Sequence, residues 1–466
     1  KNNLLKGDVM NFIGRENEIK QITHELEKNK QSNILIFGRR RIGKSYLINH
    51  VLRGYTCKKI YYQCKKIDIK NTLFELSSII KNELNIPYPL EFKDMDMLLD
   101  FLFQQQDKII FCIDEYSYLH ESLKALDSIL QQKIDKYKDS SNLKLIILGS
   151  SLDIMKSLID RENPLFGRFD LVINLKEQNY YESSLYYKSF SNEDKVMLYS
   201  VFGGEPFFNS KIDESKSALD NIIDLVIKKD SIGELFVEEI IKSEINKVSN
   251  SYDVLQTIAL GSKKHEDIKN KAYVESTAAL SQILNKLIKI DIVEKITPIN
   301  DVKNKKKTLY NIKNNIIKFY YKYIYLNLSA RENMDTVVFY NIFIKDDFER
   351  KFIPYAFEKI VKQYLIRKNK EKDINNPFYQ IGTYWYDDPK NKTNGQFDIV
   401  TIDKIGNIFY EVKYQNKPVN GSTIEEEIKQ LNNLNLSYYN LGFVSKSGFN
   451  LKNLTNYILI DLKDMY

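Results

Sequence analysis

The segment GRRRIGKS, Gly38 to Ser45, constrains this chain more than any other stretch of it. It fits G-x-x-x-x-G-K-S/T, follows the apolar run ILIFG (34–38) and precedes YLINHVL, which has helical spacing. A phosphate-cradling loop requires that order of strand, loop and helix. Gly38 and Gly43 let the loop curl so that its backbone N–H groups point inward, with Arg39, Arg40, Arg41 and Ile42 between them and Tyr46 just after. In that arrangement Lys44 reaches the β- and γ-phosphates and Ser45 ligates magnesium. The positive N-terminal end of the following helix adds to the same anion site.

A second motif completes the expected site. IIFCIDEYSYL places Asp114 and Glu115 at the end of a strongly apolar strand. There Asp114 holds the magnesium and Glu115 polarises the attacking water. Lys44 and Glu115 are therefore the expected catalytic pair, with ATP and Mg2+ as cofactors. ILIFG, IYYQC (60–64), IIFCID (109–114), LKLIILGS (143–150) and LVINL (171–175) each read as buried strands separated by amphipathic segments such as LFELSSIIKNEL (73–84). Alternation of that kind predicts a parallel, doubly wound α/β sheet. IYYQC supplies an extra strand between the two motifs, which favours the P-loop branch with a catalytic glutamate. Ser150 and Ser151 end LKLIILGS, where a polar residue either senses the γ-phosphate or caps the helix LDIMKSLI.

Composition bounds the rest. Of 466 residues 43% are hydrophobic and 28% charged, a globular balance sufficient for several cores. No run approaches the roughly 18 to 20 apolar residues of a membrane helix, and KNNLLKGDVM at the start lacks a secretory apolar stretch. Cys57, Cys64 and Cys112 have no metal-ligand spacing, and so few thiols suit a reducing compartment. The expectation is a cytoplasmic protein without a membrane partner. Cys112 reads as a core residue. The net charge of +7 comes from 69 basic against 62 acidic residues and does not by itself identify a nucleic-acid partner.

FIGRENEI (12–19) resembles the hydrophobic-hydrophobic-G-R-E-x-E box that opens origin-recognition ATPases and the signalling ATPases called STAND proteins. PLFGRFD (164–170) and GGEPF (203–207) also match, and the whole chain resembles the prokaryotic "archaeal ATPase" family of that group. The resemblance implies a P-loop ATPase followed by a winged helix and, as in many members, a restriction-endonuclease-like domain. It implies that Gly14 and Arg15 lie near the nucleotide and that Pro206 packs on the adenine from a lid. By chemistry alone Arg15 is equally suited to pairing with Glu16 or Glu18. Arg161 and Arg168 are candidates to touch the γ-phosphate or simple surface arginines, and neither is assigned.

The expected organisation is an ATPase domain over 1–180, a helical lid over 181–245, a winged helix-turn-helix over 246–330 and a nuclease-like domain over 331–466, with LNLSARENMD (327–336) as a linker. YDVLQTIAL (252–260), HEDIKNKA (265–272) and STAALSQILNKLIKI (276–290, Ser276 as cap) read as three helices. IVEKITPI and TLYNI read as strands around a wing carrying Lys303, Lys305, Lys306 and Lys307. Such a module either reads DNA or serves as a structural switch.

Three features converge in the last part. PYAFEKIVKQYLI carries Glu358 at helical spacing, GQFDIVTID carries Asp398, and NIFYEVKYQ carries Glu411 and Lys413. Glu411 and Lys413 flank Val412 and so share one strand face. Asp398 and Glu411 would chelate magnesium with support from Glu358, and Lys413 would polarise the attacking water. This resembles the PD-(D/E)xK nuclease fold. Gln396 stands where relatives often carry an acid, which leaves a second metal position in doubt. The expectation is an ATP-dependent switch acting on nucleic acid, DNA in preference, through a nuclease-like effector. The competing expectation is an ATPase that regulates transcription or assembles with a protein partner, its last domain serving only to dock. A homo-oligomer or a protein partner is expected.

Overall fold

The computed structural model describes residues 12–242, 250–302, 308–388, 393–434, 436–451 and 457–466. The chain divides into two compact units at Glu177/Gln178. The first is built on five strands, β1 (Ser32–Phe37), β2 (Lys58–Gln63), β3 (Ile109–Asp114), β4 (Lys144–Gly149) and β5 (Leu171–Asn174). They are all parallel, in the order β2-β3-β4-β1-β5. Strands this apolar need cover on both faces, and successive residues serve opposite cores. Leu35 and Phe37 join Ile113, Leu145 and Ile147 on one side, while Ile34 and Ile36 join Ile110, Cys112 and Leu148 on the other. Cys112 is fully buried there.

One expectation about this sheet is corrected. IYYQC lies between the two phosphate-site motifs in sequence, but in space β2 is an edge strand outside β3. The strand inserted between β1 and β3 is β4, from LKLIILGS. Its fully buried run needs a neighbour on each edge, whereas β2, with the mixed sequence KKIYYQ, tolerates the sheet edge.

The second unit opens with helices that include Tyr180–Ser184, Asn192–Phe202 and Ile232–Ile240. Three more, Ser251–Ala259, His265–Lys271 and Thr277–Lys289, lead into an antiparallel pair, β6 (Val293–Ile296) and β7 (Leu309–Ile312). Ser276 caps the third helix by accepting from the Ala279 amide. Lys303, Lys305, Lys306 and Lys307 fall outside the described residues.

The expected linker at 327–336 is instead structured. Leu328–Asn333 is helical, and Arg331 is buried against Glu234 at 2.7 Å. One apolar core runs from Tyr180 through Phe236, Leu284 and Phe319 to Phe357 and Met465. The expected borders at 245/246 and 330/331 therefore cut through shared packing, which polar composition alone did not reveal.

A second five-stranded sheet closes the unit: β8 (Gln380–Asp388), β9 (Thr393–Ile402), β10 (Asn407–Lys413), β12 (Asn440–Ser445) and β14 (Ile458–Asp461), in the order β14-β12-β10-β9-β8. β8, β9 and β10 are antiparallel neighbours, and β10, β12 and β14 are parallel. Short strands β11 (Val419–Asn420) and β13 (Phe449–Asn450) pair beside it. Phe357, Ile360 and Val361 of the helix Ile353–Lys370 pack with Ile399, Ile408 and Tyr410 on one face. Ile424 and Leu431 of the helix Gly421–Asn433 pack with Phe397, Val400 and Phe409 on the other. Among the described residues no helix is long and apolar enough to cross a membrane.

Candidate functional sites: a phosphate loop and a carboxylate–lysine cluster

In the first unit the loop from Gly38 to Ser45 joins β1 to the helix Lys44–Leu52. Gly38 is required by space, since a Cβ there would meet the Leu175 carbonyl at 2.5 Å. Gly43 is required by conformation, with φ at 94°. Ile42 anchors the loop in the core, while Arg40, Arg41 and Tyr46 are exposed. Arg40 donates to the Tyr118 hydroxyl at 3.1 Å, and Arg39 pairs with Glu177. Tyr46 and His50 both stack on Phe12.

Lys44 is buried, and its ammonium donates to the carbonyls of Gly38 (2.9 Å) and Arg39 (3.0 Å). Burial draws its pKa down from the ordinary lysine value, against the opposing pull of Glu115 and Asp114. Ser45 Oγ donates to Asp114 Oδ2 at 2.6 Å, so the loop hydroxyl and the strand-end carboxylate meet. Tyr61 of β2 also donates to Oδ2, and the Glu115 amide donates to Oδ1 at 2.8 Å. Burial and Asp114 push the Tyr61 hydroxyl far above its ordinary pKa, so it acts as a fixed donor. Tyr61 escaped the sequence reading because only β2–β3 pairing brings it to Asp114.

Glu115 adopts a left-handed backbone, φ 54° and ψ 44°, at the junction of β3 and the helix Tyr116–Ser122. A non-glycine residue there is uncommon and sets where its carboxylate points. Ser150 Oγ donates to Glu115 Oε2 at 2.7 Å. Ser151 occupies the cap position of Leu152–Ser157 but makes no side-chain cap bond. Arg15 is buried, donates to the Lys176 carbonyl and lies 3.6 Å from Glu18. Gly14 and Arg15 both have positive φ. Arg168 pairs with Asp135 at 2.9 Å, and Arg161 is exposed. Pro206 belongs to the second unit, in the first turn of the short helix Pro206–Asn209.

In the second unit Tyr410 pairs with Ile399, and Glu411 and Asp398 come next on their strands. β9 bulges beside Asp398. Gly382 pairs with Val400 and Tyr384 with Phe397, so two residues of β9, Asp398 and Ile399, oppose Thr383 alone on β8. A bulge re-aims a side chain, and here it falls at the candidate acid. Lys413 contacts Glu411 directly and Glu427 at 3.6 Å. Burial, then Glu411, raise the Asp398 pKa above the ordinary carboxylate range. Burial, Asp398 and Glu411 raise Glu358, and the pull of Lys263 and Lys318 opposes that rise. Glu427 is pushed up to about 7 by burial and Glu411.

Glu427 was not anticipated. Its signal was present, however. It sits between Ile424 and Leu431 at helical spacing, on the face of Gly421–Asn433 that packs against the sheet. Among the described residues no set of three or more His, Cys, Asp or Glu side chains is placed to hold a metal ion. Asp398, Glu411 and Glu358 interact electrostatically without forming such a set.

Residues 12–212 match an ATPase domain predominantly from Archaea, and residues 320–429 match a family described as archaea bacterial proteins of unknown function. The uncharacterized protein MJECL04 of Methanocaldococcus jannaschii is 31% identical over 409 residues, which cover 87% of this chain and 88% of that protein. Among solved structures, the Walker-type ATPase PABY2304 of Pyrococcus abyssi aligns with a TM-score of 0.50 at 19% identity, over 67% of this chain and 96% of that one. The Aeropyrum pernix ORC2 protein, solved as ADPNP–ADP complexes, aligns at 0.43 and 13% identity, over 70% and 95%. With 31% identity sustained across most of both chains, this chain belongs to the family of the M. jannaschii protein, and its P-loop lies in a domain that matches an ATPase domain predominantly from Archaea.

Proposed function

We propose that the chain is an ATP-hydrolysing switch that acts on nucleic acid, with a nuclease-like centre in its second unit. The observation that carries the ATPase half is the meeting of Ser45 and Asp114 at 2.6 Å beside a buried Lys44. A hydroxyl and a carboxylate are the oxygen donors a magnesium ion takes, so the residues fit the ion. When bound, it would neutralise phosphate charge. Lys44 would exchange its two carbonyl acceptors for phosphate oxygens. Glu115, oriented by Ser150, would take the proton of the attacking water as the bond to the γ-phosphorus forms and ADP leaves. Gly14, Arg15, Arg39 and Tyr46 are proposed to surround the nucleotide.

For the second unit the reading rests on the strand positions of Asp398 and Glu411, with Lys413 on the Glu411 face. Asp398 and Glu411, with Glu358 behind them, would hold a divalent metal. Lys413 would orient a water or the phosphodiester. We read the helices 251–289 with the β6–β7 pair as a winged helix and assign them to DNA contact. A nuclease assay with magnesium or manganese, with and without ATP, tests the reading. Cleavage that Asp398→Ala removes supports it, and no cleavage under any condition sinks it.

One observation favours the second reading, an inert docking domain. Lys413 already neutralises Glu411, and no three acids converge as metal ligands among the described residues. Under that reading the ATPase chemistry stands and the second unit binds a partner without cutting it.

A further inference from the structure

Next to the carboxylate cluster, three lysines from separate parts of the second unit converge on one tyrosine. Tyr355 and Glu358 lie one turn apart on the helix Ile353–Lys370 and so share a face. Lys318 Nζ stands 3.7 Å from the Tyr355 ring centroid, Lys263 Nζ 5.2 Å and Lys359 Nζ 5.5 Å. Lys318 comes from the helix Asn315–Phe319, and Lys263 from the turn before His265–Lys271. All three lysines and the tyrosine are half-buried.

Lys359 has Glu294 at 3.4 Å, and Glu294 also accepts from Asn311. Among the described residues neither Lys263 nor Lys318 makes an ion pair. A ring face steadies an ammonium but does not neutralise it. Burial, then the positive charges of Lys359, Lys263 and Lys322, push Lys318 well below its ordinary pKa. Three lysines thus gather at one ring face, and two of them make no ion pair among the described residues.

We propose that Lys263, Lys318 and Lys359, gathered around Tyr355, seat a backbone phosphate of a nucleic-acid strand presented to the adjoining Asp398–Glu411–Lys413 centre. The inference rests on the reading of that centre as a phosphodiester site and names the group that anchors its substrate. Phosphate suits the seat because it offers several acceptor oxygens around one compact charge, and lysines bind it as point charges without a fixed fork. Glu358, one turn from Tyr355 on the same helix, interacts electrostatically with Asp398 and Glu411 and with Lys263 and Lys318.

The test uses the full chain, labelled single-stranded and duplex oligonucleotides, and EDTA without ATP, so that binding is read with no cleavage. Affinity is measured against salt for the parent, Lys263→Gln, Lys318→Gln and Lys318→Arg. Each lost phosphate contact should lower the slope of log affinity on log salt by about 0.9 for duplex or about 0.7 for single strand. Lys318→Arg should keep the parent slope. Unchanged slopes in the folded glutamine variants, or no binding to either oligonucleotide at low salt, overturn the seat. Lys263 lies in a turn, so Lys263→Gln decides the matter if Lys318→Gln does not fold. A magnesium cleavage assay on the same proteins separates this inference from its premise. Reduced slopes without cleavage keep the phosphate seat and discard the nuclease reading, and cleavage with parent slopes does the reverse.

Discussion

Asp114 accepts from three donors at once, the Ser45 and Tyr61 hydroxyls and the Glu115 amide, and this fixes the strand-end carboxylate before any ligand arrives. The two motif residues were legible in the sequence because their chemistry demands a fixed spacing around a strand and a helix. Tyr61 was not, because a cross-strand partner depends on sheet order, which no local pattern encodes. Three substitutions separate the roles. Lys44→Ala should abolish nucleotide binding, read by fluorescent ATP titration, since Lys44 is the cation that the motif aims at the β- and γ-phosphates. Glu115→Gln should bind ATP and lose turnover by about 100- to 10,000-fold, the usual worth of a positioned base. Parent-level hydrolysis would remove Glu115 from that role. Tyr61→Phe deletes a hydrogen bond to a charged group, worth about 1.5–3 kcal/mol. We expect roughly a tenfold or greater fall in kcat with binding retained, and an unchanged kcat would make Tyr61 a packing residue only.

Elements were read well where periodicity was strong and poorly where buried charge imitated a surface. All five strands of the first sheet were visible as apolar runs, yet their order was not, and IYYQC proved an edge strand. LNLSARENMD looked like a linker because its polar residues suggest solvent, whereas Arg331 turns inward to Glu234 at 2.7 Å. The same error in reverse hid Glu427, a charge on the packed face of its helix. The Arg331–Glu234 pair gives a direct test. Breaking a buried pair from one side strands a charge and costs about 3–5 kcal/mol, while replacing both partners with apolar groups is often near neutral. Arg331→Met should therefore lower the denaturant midpoint sharply, and Arg331→Met with Glu234→Leu should recover much of it. Equal losses in the single and double variants would show that the two side chains act separately. Two Arg331 nitrogens find no hydrogen-bond partner among the described residues, which favours recovery in the double variant.

At the scale of the whole chain the first unit holds its acids beside donors, whereas the second holds several of its acids partly buried and close together. Asp398 is raised, Glu427 reaches about 7 and Glu358 about 8, from ordinary values of 3.8, 4.5 and 4.5. Such a concentration suits a site that meets a cation or a substrate and is unfavourable when it meets neither. Its consequence is a stability that depends on pH with a definite sign. Glu358 keeps its proton in the folded protein above the pH at which the unfolded chain releases it. Between about 4.5 and about 8 the folded state therefore binds more protons, and stability falls as pH rises through that window. The contribution is complete below about 4.5 and gone above about 8, and Asp398 and Glu427 add the same sign across lower ranges. Glutamine mimics the protonated acid at every pH. In metal-free buffer, Glu358→Gln should melt with the parent near pH 4.5 and above it near pH 8.5, by on the order of a few degrees. The gap should open through the window and then level off. Melting curves that stay parallel from pH 4.5 to 8.5 would mean that Glu358 titrates as an ordinary surface acid, and the electrostatic link between it, Asp398 and Glu411 would have to be abandoned.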